Sequence, residues 1–149
     1  LLLDRISPRA LCKLDELDIR WVSSSAFHMG LSVRGTIKLG RCYFTHGLSV
    51  SKNADSVHLA KVGSNIVFGH VHRAMSRIVR SVESDGFGAW CPGTLAKLQP
   101  LYRHTCPTDW SGGYALQFVE SDGTFTHVNV PLFGRGVSGL RPLLRRMRL

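Results

Sequence analysis

Asn65-Ile66-Val67-Phe68-Gly69-His70-Val71-His72-Arg73 is an apolar run that breaks at a glycine and then delivers two histidines one residue apart. Ile66, Val67 and Phe68 suit a short strand covered on both faces, because such strands read as continuous apolar runs rather than alternating ones. Gly69 lets the backbone turn or approach something closely. His70 and His72 then fall at the C-terminal rim of a strand, where open α/β sheets place their ligands. A second segment, Cys42-Tyr43-Phe44-Thr45-His46-Gly47, ends the same way. Two strand-like runs, each closing on a histidine beside a glycine, have the look of a divided metal site. They point to hydrolytic chemistry rather than a passive scaffold.

Between these runs, Ser56 to Lys61 carries Val57, Leu59 and Ala60 and predicts a short helix. Strand, helix, strand is the order a βαβ unit requires. Upstream, Leu31 to Ile37 and Cys42 to Thr45 read as a hairpin turning at Lys38-Leu39-Gly40-Arg41. Further upstream, residues 8–19 read as a helix capped by Ser7 with Pro8 in its first turn. Arg20-Trp21-Val22 starts a strand. After His72 the character changes. Arg77 to Glu83 pairs with Phe87 to Trp90, and Tyr114 to Glu120 with Thr124 to Val130, each across the tetrapeptide Glu-Ser-Asp-Gly. Asp-Gly between alternating strands is a hairpin signal, and one turn solution used twice is the expectation. Residues 91–113 hold Pro92, Gly93, Pro100, Pro107, Gly112 and Gly113 and read as a long loop, the kind that rims a site. Trp110 within it is core packing or a substrate wall.

With 44% hydrophobic and 19% charged residues in 149, the chain has the composition of one folded domain. No apolar run approaches the ~20 residues that span a bilayer, and Leu1-Leu2-Leu3-Asp4-Arg5 meets its charges too early for a signal peptide. A start without methionine, inside an apolar run, leads us to expect a preceding N-terminal segment. Net charge is +9, from 19 basic and 10 acidic residues. Arg135, Arg141, Arg145, Arg146 and Arg148 concentrate it in a basic tail, residues 134–149, following a domain that occupies residues 1–133. The tail is a solvated arm or a nucleic-acid contact, and its apolar spacing also suits one or two amphipathic turns docking on a partner. Cys12, Cys42, Cys91 and Cys106 form no C-x-x-C pair, so reduced thiols and a cytoplasmic location are expected, with Cys42 in the core.

Neutral imidazole ligates zinc, manganese, iron or nickel. Histidines at i and i+2 on a regular strand point the same way, but where the strand breaks into a loop they can diverge toward two ions. Three nitrogen ligands make at most one open site; a two-metal centre also needs carboxylates to hold cations ~3.5–4 Å apart. The other histidines, His28, His58, His104 and His127, read as surface or packing residues. His104, close to Tyr102, Arg103 and Asp109, is the one with a potential substrate-binding role.

Thr45-His46-Gly47 followed two dozen residues later by Gly69-His70-Val71-His72 resembles the C-terminal half of the calcineurin-like metallophosphoesterases, phage and bacterial members in particular. The Leu14-to-Val22 segment and the paired hairpins fit the same likeness, which extends over roughly residues 10–132. The resemblance implies an α/β fold, part of a four-layer αββα sandwich, mostly β with hairpins in its C-terminal half. It implies two divalent metal ions (manganese, iron, zinc or nickel), His46 and His70 on one and His72 on the other. Metal-activated water would attack phosphorus in line. Arg73 would contact substrate phosphate, unless it is a solvated surface arginine. Substrates would be a phosphorylated small molecule, a phosphoprotein or a nucleic acid, with no membrane involved.

The family's Asp-x-His, Gly-Asp-x-x-Asp and Gly-Asn-His-Asp/Glu motifs do not occur in these 149 residues. The chain therefore carries about half a site, to be completed by an N-terminal segment or a second copy. The alternative is a truncated, non-catalytic remnant acting in binding or assembly through its basic tail. A third reading, a nucleic-acid binder using Arg73, Arg77, Arg80 and the tail, lacks the aromatic-interleaved basic strand that base stacking requires.

Overall fold

The computed structural model describes residues 16–17, 35–80, 82, 86–103 and 106–133. The chain divides into two compact units, residues 1–36 and 37–149, and the account below concerns the second. The helix expected over residues 8–19 (apart from Glu16 and Leu17), the strand at 20–22, the first half of the 31–37 strand, His28, His104 and the 134–149 tail lie outside the described residues.

The described residues form a mixed α/β structure dominated by strands, with one helix among them. The elements among the described residues run β1 (Thr36–Leu39), β2 (Cys42–Thr45), α1 (Ala54–Val62), β3 (Ile66–Phe68), β4 (Ala74–Val79), β5 (Phe87–Pro92), β6 (Gly112–Val119) and β7 (Phe125–Leu132), with a 3-10 turn at Leu101–Arg103. Five strands make one sheet in the order β1-β2-β3-β5-β4, and β6 and β7 make a separate hairpin. The expected βαβ unit is present: β2 and β3 run parallel, Thr45 opposite Phe68, with α1 between them in sequence. β3 is also parallel to β5, so this three-residue strand lies between neighbours on both sides. That central place is why its sequence is unbroken apolar.

Side-chain alternation along β5 sorts the layers. Ala89 and Cys91 point to the face that α1 covers, where they join Ala54, Leu59, Ile66, Phe68 and Val71 in the buried core. Trp90 points the other way, onto Phe125 and His127 of β7, ring centroids 5.9 and 4.9 Å away. The described residues thus stack as helix, sheet, sheet. Cys42 is fully buried, as expected, and burial pushes its thiol up to about 11.

The smaller sheet is inverted in polarity. Its inner face carries Gln117, His127 and Asn129, and the Asn129 amide donates to the carbonyls of Met75 (3.2 Å) and Cys91 (3.3 Å). His127, read from the sequence as a surface or packing residue, is half-buried between Gln117 and Asn129 at 3.1 and 3.0 Å. The outer face presents Leu116, Phe118 and Val128 to solvent.

Several boundaries differ from the sequence reading; α1, for example, runs from Ala54 to Val62, β5 continues to Pro92 and β6 begins at Gly112, so the long loop is shorter at both ends. Lys38 and Leu39 stay in strand β1, so the first hairpin turns on Gly40-Arg41 alone, with the Lys38 ammonium 5.2 Å above the Tyr43 ring. β4 starts at Ala74, three residues before the expected Arg77, because it pairs with β5 as far as Pro92. The two Glu-Ser-Asp-Gly segments fall in loops of different length. The last pair is Val79 with Phe87 in one hairpin and Val119 with Phe125 in the other, so the first loop is two residues longer. In the second, Asp122 Oδ1 accepts from the Thr124 amide and hydroxyl at 2.9 and 2.6 Å.

Candidate metal centre

The C-terminal ends of β2 and β3 are knitted together by backbone. The Gly69 amide donates to the His46 carbonyl at 2.9 Å, and a Cβ at Gly69 would lie 3.2 Å from that oxygen, tighter than side chains ordinarily approach. Gly47, at φ 147°, takes a conformation few other residues adopt, and a Cβ there would meet the His70 Cβ at 2.9 Å. The glycines flanking both histidines are what let the two strand ends close on each other. As a result His46 Nε2 and His70 Nδ1 stand 2.7 Å apart, their rings edge to face with centroids at 4.7 Å.

His70 and His72 both have left-handed backbone, φ 68° and 58°. Histidine tolerates this region better than most side chains, yet it is strained there, and such strain clusters at functional sites. The Val71 amide closes a tight turn onto the Gly69 carbonyl at 2.8 Å. The strand geometry that would align residues i and i+2 has ended, so the two imidazoles diverge. His70 goes to His46, and His72 goes against the Trp110 ring, edge-on with centroids 4.3 Å apart. His72 Nδ1 is buried with no hydrogen-bond partner among the described residues. Burial holds the His72 ring below its ordinary pKa, and the proximity of His70 and His46 lowers it further. It is therefore the neutral form, the one that ligates metals, that is favoured.

The end of the long loop walls this region, as a loop of that length after a site is expected to. The Ser111 amide donates to the His72 carbonyl (2.9 Å), and Ser111 Oγ accepts from the Ala74 amide (2.5 Å). Trp110 packs on His72, one of the two alternatives the sequence left open, and lines a cleft of about 220 Å³ with Val50, His70, Val71, Arg73 and Asp109. Arg73 is not a solvated surface arginine. Its side chain is 19% exposed, and it donates to Asp109 Oδ2 and to the Ser51 carbonyl, each at 2.7 Å. His104, the other substrate-binding candidate, lies outside the described residues.

The imidazoles fit a metal as the nitrogen half of a centre. Two nitrogens sharing one tetrahedral zinc at ~2.0–2.1 Å stand ~3.3 Å apart; His46 and His70 are closer, at hydrogen-bond distance, so their rings would open by about 0.6 Å to admit an ion. His72 Nδ1, buried and without a hydrogen-bond partner among the described residues, is a third imidazole nitrogen of the kind that ligates metals. Among the described residues, no group of three or more His, Cys, Asp or Glu side chains surrounds a single point.

Sequence reasoning missed two residues. Asp109 was noted only as a neighbour of His104, yet it holds Arg73. His58 was read as surface or packing; it is a fully buried packing residue, and what went unread is its bond to the loop after His46. The one legible hint was its helical position facing the apolar run that ends at Phe68. No family model, curated protein or solved structure matches the chain. No helix among the described residues is long and apolar enough to cross a membrane.

Proposed function

We propose that this chain is the C-terminal part of a calcineurin-like metallophosphoesterase, a metal-dependent hydrolase of phosphomonoesters or nucleic-acid phosphodiesters. One observation carries the reading: imidazoles from two adjacent parallel strand ends meet at 2.7 Å, and the loop that follows them holds His72 with its Nδ1 buried and, among the described residues, without a hydrogen-bond partner. His46 and His70 would hold one divalent ion and His72 a second, within a four-layer αββα sandwich. Bound cations supply charge neutralisation of the phosphoryl oxygens and acidify water. The chain's own residues do the rest. Trp110 keeps water from one side of His72. Arg73 offers a guanidinium at the cleft, and a substrate phosphate would take it by displacing the exposed carboxylate of Asp109. Carboxylates that hold two cations together come from an N-terminal segment or a second copy of the chain.

The test is turnover of an aryl phosphate with Mn²⁺ by full-length protein and by a His70→Ala variant. Loss of turnover in the variant is expected, and equal rates would refute the reading. A second reading, a non-catalytic binding remnant, is favoured by the absence of the three carboxylate motifs from these 149 residues. Metal analysis separates the two: two tightly held ions per chain speak for the hydrolase, and none for the remnant.

A further inference from the structure

We propose that His58 is a positioning residue for the His46–His70 pair, its buried ring fastening the loop after His46 to helix α1 and backing the strand that delivers His70. The functional consequence rests on the metal-centre reading; the geometry does not.

His58 is 0% exposed and makes three contacts that leave no part of its ring idle. Its Nε2 accepts the Leu48 amide at 2.8 Å, two residues beyond His46. Its Nδ1 bonds the Ala54 carbonyl at 2.5 Å, one helical turn back. A carbonyl only accepts, so Nδ1 carries the proton and Nε2 is free to accept: the two bonds fix a single neutral tautomer. The ring face stacks on Phe68, centroids 3.9 Å apart and planes within 11°, two residues before His70. The same helix also grips the Leu48 carbonyl, through Lys61 Nζ at 3.2 Å.

Leu48 is thus held at both its N–H and its C=O by one helix, and Phe68 is held by the same ring. The His46 and His70 side chains are themselves exposed, so their own packing does not fix where they point. What fixes them is backbone, and His58 touches the backbone on one side and the strand on the other. Groups that bond a ligating ring directly carry roughly 10–100-fold of metal affinity; His58 acts one step further out, through the Leu48 backbone and Phe68, so the low end of that range is expected.

The experiment compares His58→Gln with His58→Asn. Both lose the stack on Phe68, so their packing loss is shared. A Gln amide reaches the Nε2 position and still accepts the Leu48 amide; an Asn amide reaches only the Nδ1 position. Two readouts are taken: the imidazole ¹⁵N spectrum of His46 and His70 without metal, and zinc affinity by competition with a chromophoric chelator. We expect His58→Gln to keep the wild-type ring pattern and affinity. His58→Asn should lose the His46–His70 contact and about tenfold in affinity. Both variants behaving like wild type would overturn the proposal, as would equal losses in both, which would mean that packing alone matters. Should wild type bind no zinc, the metal reading fails, and the ring spectra still decide the role of His58.

Discussion

Adding one methyl group at Gly47 tests the claim that glycine is what lets the two histidine loops close. An alanine Cβ would sit 2.9 Å from the His70 Cβ and 3.3 Å from the Gly69 carbonyl oxygen. Carbon atoms prefer ~3.5–4.0 Å, so the loops must part by about 0.6–1 Å. Overpacking of this kind costs ~1–3 kcal/mol. The backbone adds its own penalty, because φ 147° is glycine territory, worth another ~1–3 kcal/mol. A cost of about 2–6 kcal/mol is large against a total stability of ~5–15 kcal/mol. Gly63→Ala is the control. Gly63, at φ 62° just beyond α1, has nothing within 4 Å of its added Cβ, so it pays only a left-handed penalty of ~1–2 kcal/mol. Urea unfolding of both variants, with imidazole ¹⁵N spectra of the folded forms, gives the answer. Gly47→Ala should cost more than Gly63→Ala and should separate His46 from His70. Equal costs, or an intact ring pair in Gly47→Ala, would refute the reasoning.

Other consequences are open to direct measurement. Phe68→Ala, at a fully buried centre under the His58 ring, should lower unfolding free energy by ~3–5 kcal/mol in denaturant titrations. Burial holds His58 below its ordinary pKa, with Lys61 acting the same way and the Ala54 carbonyl and Asp55 opposing, and burial likewise lowers His127 against its bond to Asn129. The unfolded chain therefore takes up protons first as pH drops through ~6.5. Stability should be complete above that value and fall below it, down through the folded pKa values, by up to ~1.4 kcal/mol per pH unit for each histidine. Urea midpoints at pH 7.5 and 5.5 that do not differ would contradict this. In native protein at pH 8, iodoacetamide should label exposed Cys106 while sparing buried Cys42 and Cys91 until unfolding; peptide mapping that finds Cys42 labelled early would count against the buried site.

How much could be read without coordinates depended on whether the signal was local. The βαβ unit was legible because an unbroken apolar triplet, a helical segment and two His-Gly junctions each follow from neighbouring residues. The β6–β7 hairpin was legible for the same reason, its Asp122-Gly123 turn being satisfied by Thr124. The hairpin across the first Glu-Ser-Asp-Gly was legible too, but its bounds were not, since pairing with β5 runs from Ala74 to Val79 rather than from Arg77 onward. Long-range contacts were out of reach. Asp109 reaches Arg73 across 36 residues, and nothing in either local stretch announces the pairing. The divergence of His70 and His72 was foreseen only as an option, because left-handed backbone at two successive alternate residues is a property of the turn, not of the histidine. His58 looked ordinary since its partners, Leu48 and Phe68, lie in separate loops.

The left-handed backbone at positions 70 and 72 sets folding and chemistry at odds. Glycine at either place would relax the chain by ~1–2 kcal/mol, so a sequence drifting under no demand but foldability gains by discarding both imidazoles. This one keeps two bulky rings where the backbone least wants them. If His70→Gly and His72→Gly raise the unfolding midpoint, the retained rings cost the fold stability, and they mark the spot where the chain is asked to do more than hold its shape.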